Sequence, residues 1–327
     1  MRFFPIAEGV PRPLQLALTR RDYTTAGAKY SVTTLLKPPR IIQLERRYDD
    51  QIVIDARRGA KALLGTAFHD MLERKAKQYP EDCEIVEQIM LDEIEVTVDG
   101  RTYKVSVKGQ NDLHSTDQLL EEGNLLAIEQ GILYDYKTTS QQVARYGPKE
   151  EWTPQLNIYA RQMRRRGIAV TGLRICPLFT DWRKKDGYSK FAIGDAIELR
   201  MWPNEQVDEF LVERVTLHEQ CALLPDNDLP KCTSEDRWMR PSWRVRKTGD
   251  AKFKILRFEE DEQAARDKAT ELGPGHVAFF VGDEPRRCTT WCNAALVCQQ
   301  FKREFPKEYD EQLQERLSYG FEPIKFK

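Results

Sequence analysis

Nowhere does this 327-residue chain contain an apolar run long enough to span a bilayer. Its opening stretch, "MRFFPIAEGVPRPLQ", lacks both the charged start and the long apolar segment of a secretion signal, so a cytoplasmic protein is expected. Neither sign of charge is in excess. With 51 Lys and Arg against 52 Asp and Glu, the net charge is -1, which argues against a histone-like coat for nucleic acid but leaves room for a local basic groove. There is no internal repeat and no low-complexity tract. The C-x2-C pair favoured by zinc knuckles is missing too. In a reducing compartment the seven cysteines do not read as a disulfide framework, and a cluster of them reads as metal-binding.

What is present describes an ordinary soluble protein, 40% hydrophobic and 31% charged, long enough for one main domain with a subsidiary element. The segment from about Ala56 to Gln78 carries Leu64, Phe68, Met71 and Leu72 at helical spacing, with Gly65, His69 and Glu73 on an adjacent polar stripe. "IEVTVDGRTYKVSVKGQNDL" then alternates on both sides of Asp99-Gly100, the dipeptide of a two-residue hairpin turn, and continuing the alternation sets Asp112 on the polar face. In "GILYDYKTT" the i, i+2 rule puts Asp135 and Lys137 side by side, opposite Ile132, Tyr134 and Tyr136. "EEWTPQLNIYARQMRRRG" reads as a helix capped by Thr153, with Pro154 at its first position and Gly167 as terminator. Leu156, Ala160 and Met163 form its buried stripe, beside Gln155, Tyr159, Gln162 and Arg166. "VTGLRICPLF" adds a strand. Helix, hairpin, strand, helix, strand is an α/β order, a small mixed β-sheet flanked by helices. Whether "HSTDQLLEEGNLLAIEQ", between Asp112 and Asp135, is a loop or a lengthened hairpin stays open.

Asp112 and Asp135 are expected at the ends of neighbouring strands. Two carboxylates so close repel unless a cation lies between them, and magnesium suits such a pair plus a backbone carbonyl, that of Tyr136. Beside them, the Lys137 ammonium is placed to orient a water and balance charge at phosphorus. "GTAFH", "GQND", "DYK" and "QLNIY", in this order, resemble the PD-(D/E)XK nuclease superfamily, specifically its RecB-like branch, over roughly residues 59–180. The resemblance implies a restriction-endonuclease-like core and a Mg2+- or Mn2+-dependent deoxyribonuclease. It also implies Asp112 and Asp135 as metal-binding acids, His69 as an additional ligand, Lys137 as the catalytic lysine, and Gln155 with Tyr159 flanking the site. Glu95 is a weaker carry-over as a metal ligand.

Further along, "RCTTWCNAALVCQQF" spaces Cys288, Cys292 and Cys298 as C-x3-C-x5-C, and Cys232 stands upstream in "LPKCTSEDRW". Four converging thiolates suit a 4Fe-4S cluster or a tetrahedral zinc. The RecB-like branch often carries such a cluster, with its fourth cysteine ahead of the nuclease core; here that early stretch has none, so Cys232 would have to serve. Cys83, Cys176 and Cys221 read as small buried hydrophobes. Between the cysteines, "SWRVRKTGDAKFKILRF", "EEDEQAARDKATEL" and "HVAFFV" suggest a ββαβ insertion. Its hairpin gathers Arg244, Arg246, Lys247, Lys252, Lys254 and Arg257 with Trp238 and Trp243 close by, a composition suited to single-stranded DNA. Arg164, Arg165 and Arg166 form a second candidate DNA patch.

The expected plan is therefore an N-terminal arm over 1–58, a nuclease core over 59–180, a linker and helix over 181–230, a cysteine-bounded module over 231–300 and a C-terminal helix and tail over 301–327. The expected activity is a metal-dependent DNA nuclease acting on ends or single strands, with recombination or repair proteins as partners. The alternatives are a non-cleaving nucleic-acid-binding subunit and an iron-sulfur interaction protein that retains the fold.

Overall fold

Asp99 and Gly100 both take positive φ, +48° and +72°, the geometry of a tight turn whose twist matches the strands it joins. In the computed structural model, residues 2–3, 11–19, 25–54, 56–79, 85–121, 124–183, 189–239, 242–249, 256–259, 261–281 and 284–326 are described. The protein is mixed α/β, and its chain forms two compact units, residues 1–39 with 53–224, and 40–52 with 225–327. The second boundary falls near the expected end of the linker at 230. Arg40–Ile52, expected as part of the N-terminal arm, groups instead with the C-terminal unit. No helix among the described residues is long and apolar enough to cross a membrane.

The first unit contains the strands β1 (Tyr30–Ser31), β2 (Ile85–Val86), β3 (Ile89–Val98), β4 (Arg101–Gln110), β5 (Leu113–Glu121), β6 (Asn124–Thr139), β7 (Gly172–Phe179) and β8 (Ile197–Glu198). Its main helices are α1 (Ala60–Gln78), α2 (Trp152–Arg164) and α3 (Asn204–Leu223). The strands do not form the single sheet that the sequence suggests. β3 and β4 pair antiparallel, with β1 parallel on β4. β8, β7, β6, β5 and β2 form a second, five-stranded sheet in that order, with β6 and β7 parallel and the other pairs antiparallel. The hand-over occurs at Asn111-Asp112, between β4 and β5. Asn111 is fully buried there, and its backbone and side chain both bond Gln88. The segment between Asp112 and Asp135 is a lengthened hairpin, β5 and β6, not a loop.

Strict alternation along β3 turns Met90, Ile94, Val96 and Val98 inward. Asp92 shares that inner face and is held by Arg161 of α2 at 2.6 Å, while the same guanidinium also binds Asp208 of α3. An ion pair so enclosed is tolerated because both partners are satisfied. In α2, Leu156, Ala160 and Met163 have no exposed surface, and covering side chains the size of Leu156 and Met163 stabilises by about 1.5 to 3 kcal/mol each. α2 starts two residues earlier than expected. Glu151 is the cap residue, without a side-chain cap bond, so Thr153 and Pro154 lie inside the first turn. Gly109 of β4 lets the sheet meet α2, since a Cβ there would fall 1.8 Å from the Gln162 Oε1.

α1 departs from expectation in its packing. Leu64 and Met71, read as apolar residues at helical spacing, are 58% and 44% exposed, and no described residue of this helix is fully buried. The helix touches β6 at discrete points: Phe68 and His69 meet the Tyr136 ring edge-on, and a Cβ on Gly65 would lie 3.2 Å from the Thr138 hydroxyl.

In the second unit, the helix running from Pro39 to Arg47 carries Arg40, whose buried guanidinium donates to the carbonyls of Leu229 and Pro230. Arg47 and Tyr48 both bind the Asp226 carboxylate at 2.6 Å. These contacts explain why residues 40–52 join this unit. The expected ββαβ module is present as β9 (Ser242–Lys247), β10 (Leu256–Glu259), α4 (Glu262–Glu271) and β11 (His276–Val281), with β9 central and antiparallel to both neighbours. Asp261 caps α4 by accepting from the Ala264 N–H. Two helices follow, α5 (Gln299–Glu304) and α6 (Pro306–Ser318). Lys252 and Lys254 of the expected hairpin, and Cys83, lie outside the described residues.

Candidate active site

The register of β5 against β6 pairs Leu113 with Tyr134, so Asp112, one residue earlier, stands across from Asp135. Asp112 is fixed by the strand it faces: its Oδ2 accepts the Tyr136 N–H at 2.7 Å. Its other oxygen, Oδ1, lies 3.5 Å from His69 Nδ1. His69 comes from α1, one turn beyond Gly65, where the close approach to Thr138 brings the helix over β6. A third acid completes this group. Glu87 Oε1 is 3.6 Å from the same His69 nitrogen, and single ligand atoms of His69, Glu87 and Asp112 all lie within 4.8 Å of one another.

Glu87 was not legible as a site residue, and Glu95 was read in its stead. Glu95 is exposed on β3, opposite Lys104, and is not in this group. Glu87 lies in the bend before β3 with φ +49°, a left-handed conformation that a non-glycine residue adopts at a cost. Its N–H donates to the Asp112 carbonyl at 3.1 Å and its Oε2 accepts from Gln110 at 2.7 Å. Both bonds hold the bend against the end of β4.

Asp135 is 2% exposed and its Oδ2 pairs with Lys137 Nζ at 2.5 Å. From α2, the Gln155 amide donates to Asp135 Oδ1 at 3.3 Å and to the Tyr159 hydroxyl at 3.0 Å, while its carbonyl oxygen accepts from Lys137 at 3.4 Å. Asp135, Lys137, Gln155 and Tyr159 are thus one hydrogen-bonded set, and Asp112 and His69 adjoin it.

The electrostatics are those of a pocket with excess negative charge. His69 is pushed up to about 10 by hydrogen bonds to Asp112 and then Glu87, against the opposing effect of burial. Burial raises Asp135 above the carboxylate range, with Asp112 adding to it and Lys137 opposing it. Burial alone would lower the Lys137 ammonium, but Asp135, then Asp112 and Glu151, outweigh it and hold the group above its usual value. The donor set suits a hard divalent cation. The residues close enough to share one ion are His69, Glu87 and Asp112, one nitrogen and two carboxylates, and Asp135 is not in that group.

In the second unit, Cys232, Cys288, Cys292 and Cys298 line one cavity, with Arg40 and Arg287 on its wall. The Gln300 side chain clamps the Cys232 backbone by accepting from its N–H at 2.8 Å and donating to its carbonyl at 2.9 Å. All four thiols are free. Burial first, and then one another, push Cys232 up to about 12 and Cys288 up to about 11, with Cys292 raised as well. No three of these sulfurs lie within 4.8 Å of one another. Of the remaining cysteines, Cys221 is buried in α3 and Cys176 half-buried in β7.

The sequence matches no protein-family model, and no curated protein is similar to it. One solved structure with some likeness is "Crystal structure of SSO0001". It is 18% identical over 62% of this chain and 84% of that one, with a TM-score of 0.38, a likeness too slight to carry an argument.

The two arginine patches come out differently. Arg164 donates to Asn204 at 2.8 Å and to the Val170 carbonyl at 3.3 Å. Arg166 binds Asp92, the Gln162 carbonyl and the Leu91 carbonyl. Two of the three guanidinia expected to meet DNA therefore tie α2 to its neighbours; Arg165 is exposed. Trp243 does not interleave with Arg244 and Arg246. It packs with Val245 toward α4, because i and i+1 point to opposite faces of a strand.

Proposed function

We propose that this chain is a divalent-metal-dependent DNA nuclease that hydrolyses phosphodiester bonds, and that an iron-sulfur cluster on its four clustered cysteines is structural. The observation that carries the first part is the convergence of Asp112, Asp135, Lys137 and His69, from two strands and a helix, on one buried acidic pocket. A solvated ion pair on a sheet needs no second carboxylate opposite it, no histidine clamped by acids and no glutamine bridging carboxylate to ammonium. Asp112, Asp135, Lys137 and His69 are among the residues that the PD-(D/E)XK resemblance implies; Glu87 is not, and Glu95, which is, lies outside the group.

His69, Glu87 and Asp112 would hold the ion, and the resemblance adds Asp135 and the Tyr136 carbonyl. A divalent ion bound there supplies a Lewis acid for a phosphoryl oxygen and lowers the pKa of a bound water. The protein's own part is positional. The Tyr136 N–H fixes the rotation of Asp112, and Gln155, backed by Tyr159, holds Asp135 and Lys137 in register. The Lys137 ammonium stays charged and is aimed where negative charge builds at phosphorus.

For the cysteines, the free thiols and their joint cavity suit a cubane cluster. The fit is chemical as well. Thiols that suppress one another's ionisation are relieved when a cationic centre replaces their protons.

The test incubates purified protein with labelled single- and double-stranded DNA in magnesium, manganese or EDTA, beside Asp112→Ala and Lys137→Ala. Degradation that needs the metal and vanishes in both variants is the expected result. Intact DNA with wild-type protein in every metal would replace this proposal with that of a non-cleaving binder.

A further inference from the structure

The small sheet of the second unit has two unlike faces. Alternation along β9 sends Trp243 and Val245 to one side, and their partners Phe280 and Ala278 on β11 go with them. That side is covered at its Val245 end, where Val245 is fully buried against Ala265 and Ala269 of α4 with Trp243, Leu256 and Ala278 around it; Phe280, beside Trp243, is 54% exposed. The other side carries Arg244 and Arg246 from β9 and, across from them, Phe279 and Val277 from β11. On β10, the backbone of Arg257 pairs with that of Arg244. Toward the Arg246 end this face is open: Arg246 is exposed and Val277 is 40% exposed. The Arg246 guanidinium lies over the Phe279 ring, 4.8 Å from its centroid.

From this arrangement we infer that the open face of the β9–β11 sheet is a binding platform for single-stranded nucleic acid. Guanidinium groups alternating along a strand match the spacing of a polyanion's charges rather than a single anion, and a sheet gives them a flat, fixed frame. Bases have apolar faces that phosphates lack, so a platform for single strands needs a planar group to stack on as well as cations. Phe279 with Arg246 over it supplies both, since a base can stack on the guanidinium plane or take its place on the ring. An acidic polypeptide would satisfy the arginines but not the ring. A duplex hides its bases and would gain nothing from Phe279. The inference stands apart from the cleavage reading, because it concerns the other unit and a face with no metal ligands.

The experiment is fluorescence anisotropy of the full-length protein with labelled oligo(dT) in EDTA, where cleavage cannot intervene, repeated over a range of salt. Phe279→Ala is expected to weaken binding about 10-fold while leaving the salt dependence unchanged. Phe279→Trp should retain affinity. Arg246→Ala should weaken binding and reduce the slope of log K against log salt by about 0.7. Arg266→Ala, over Trp243 on the covered side, serves as the control and should bind like wild type. Thermal melting of each variant establishes that it is folded. Wild-type affinity in folded Phe279→Ala and Arg246→Ala would overturn the inference, as would equal affinity for polyglutamate or for duplex DNA. A protein that degrades DNA yet shows these results loses only the platform, and one that binds as expected yet never cleaves loses only the nuclease.

Discussion

Removing the cation beside Asp135 separates an active-site pair from an ornamental one. The carboxylate is 2% exposed and its Oδ2 lies 2.5 Å from Lys137 Nζ. Replacing lysine by a neutral side chain of similar length, Lys137→Met, leaves a buried charge with only the Gln155 amide to answer it. Breaking an enclosed pair from one side costs about 3 to 5 kcal/mol, and part is recovered because Asp135, already raised by burial, takes up a proton. A net loss of about 3 kcal/mol is expected, which lowers the melting temperature by roughly 6 °C or more in a chain of this size. The double variant Asp135→Asn with Lys137→Met removes both charges and should lie within about 1 kcal/mol of wild type or above it. The cycle then yields a coupling of about 2 to 3 kcal/mol, against less than about 1 for a surface pair. Metal-dependent DNA degradation should be abolished in Lys137→Met, in Asp135→Asn alone and in the double variant, so that the most stable of them is as dead as the least. Melting temperatures unchanged in Lys137→Met, or cleavage surviving in the double variant, would refute the reasoning.

Two other outcomes follow from the same geometry. Protein purified without oxygen should be brown, with visible absorbance that Cys292→Ala bleaches, and metal analysis should find iron rather than zinc; a colourless protein with stoichiometric zinc would defeat the cluster. Glu219 of α3 accepts from Lys29 at 2.6 Å, Tyr30 at 2.8 Å and Tyr103 at 2.9 Å, and although burial works the other way, these bonds hold its carboxyl below the usual range. A depressed folded-state pKa contributes stability above the ordinary carboxylate value and loses it as pH falls through the lowered one. Glu219→Gln should therefore melt lower than wild type at neutral pH, by about 2 kcal/mol, and the gap should narrow on acidification; a gap constant with pH would remove the ionised carboxylate from the account.

What the sequence discloses follows the range of the interaction involved. Asp135 and Lys137 share a face because of two-residue periodicity, and Gln155 and Tyr159 because of four-residue periodicity, so both pairs could be read from local pattern. The hairpin at Asp99-Gly100 was legible for the same reason, since its positive φ values are a property of two adjacent residues. The opposite faces of Trp243 and Arg244 were equally available from parity. Grouping them by composition, as basic residues near indoles, discarded that information.

Glu87 and the division into two sheets are of another kind. Nothing local in "CEIVEQIMLDEIEV" separates Glu87 from Glu95, and alternation favours the later residue because it lies within a strand. The choice is made by a long-range bond, from the Glu87 N–H to the Asp112 carbonyl 25 residues on, and by Asn111, whose burial and bonds to Gln88 end one sheet and begin the next. Asp112 was placed correctly despite the mistaken single sheet because its position depends only on ending β4 and preceding β5, and both sheets meet at that point. A group placed where the chain passes from one sheet to the next is fixed from both sides. That is the physical reason it can hold together carboxylates whose repulsion would otherwise drive them apart.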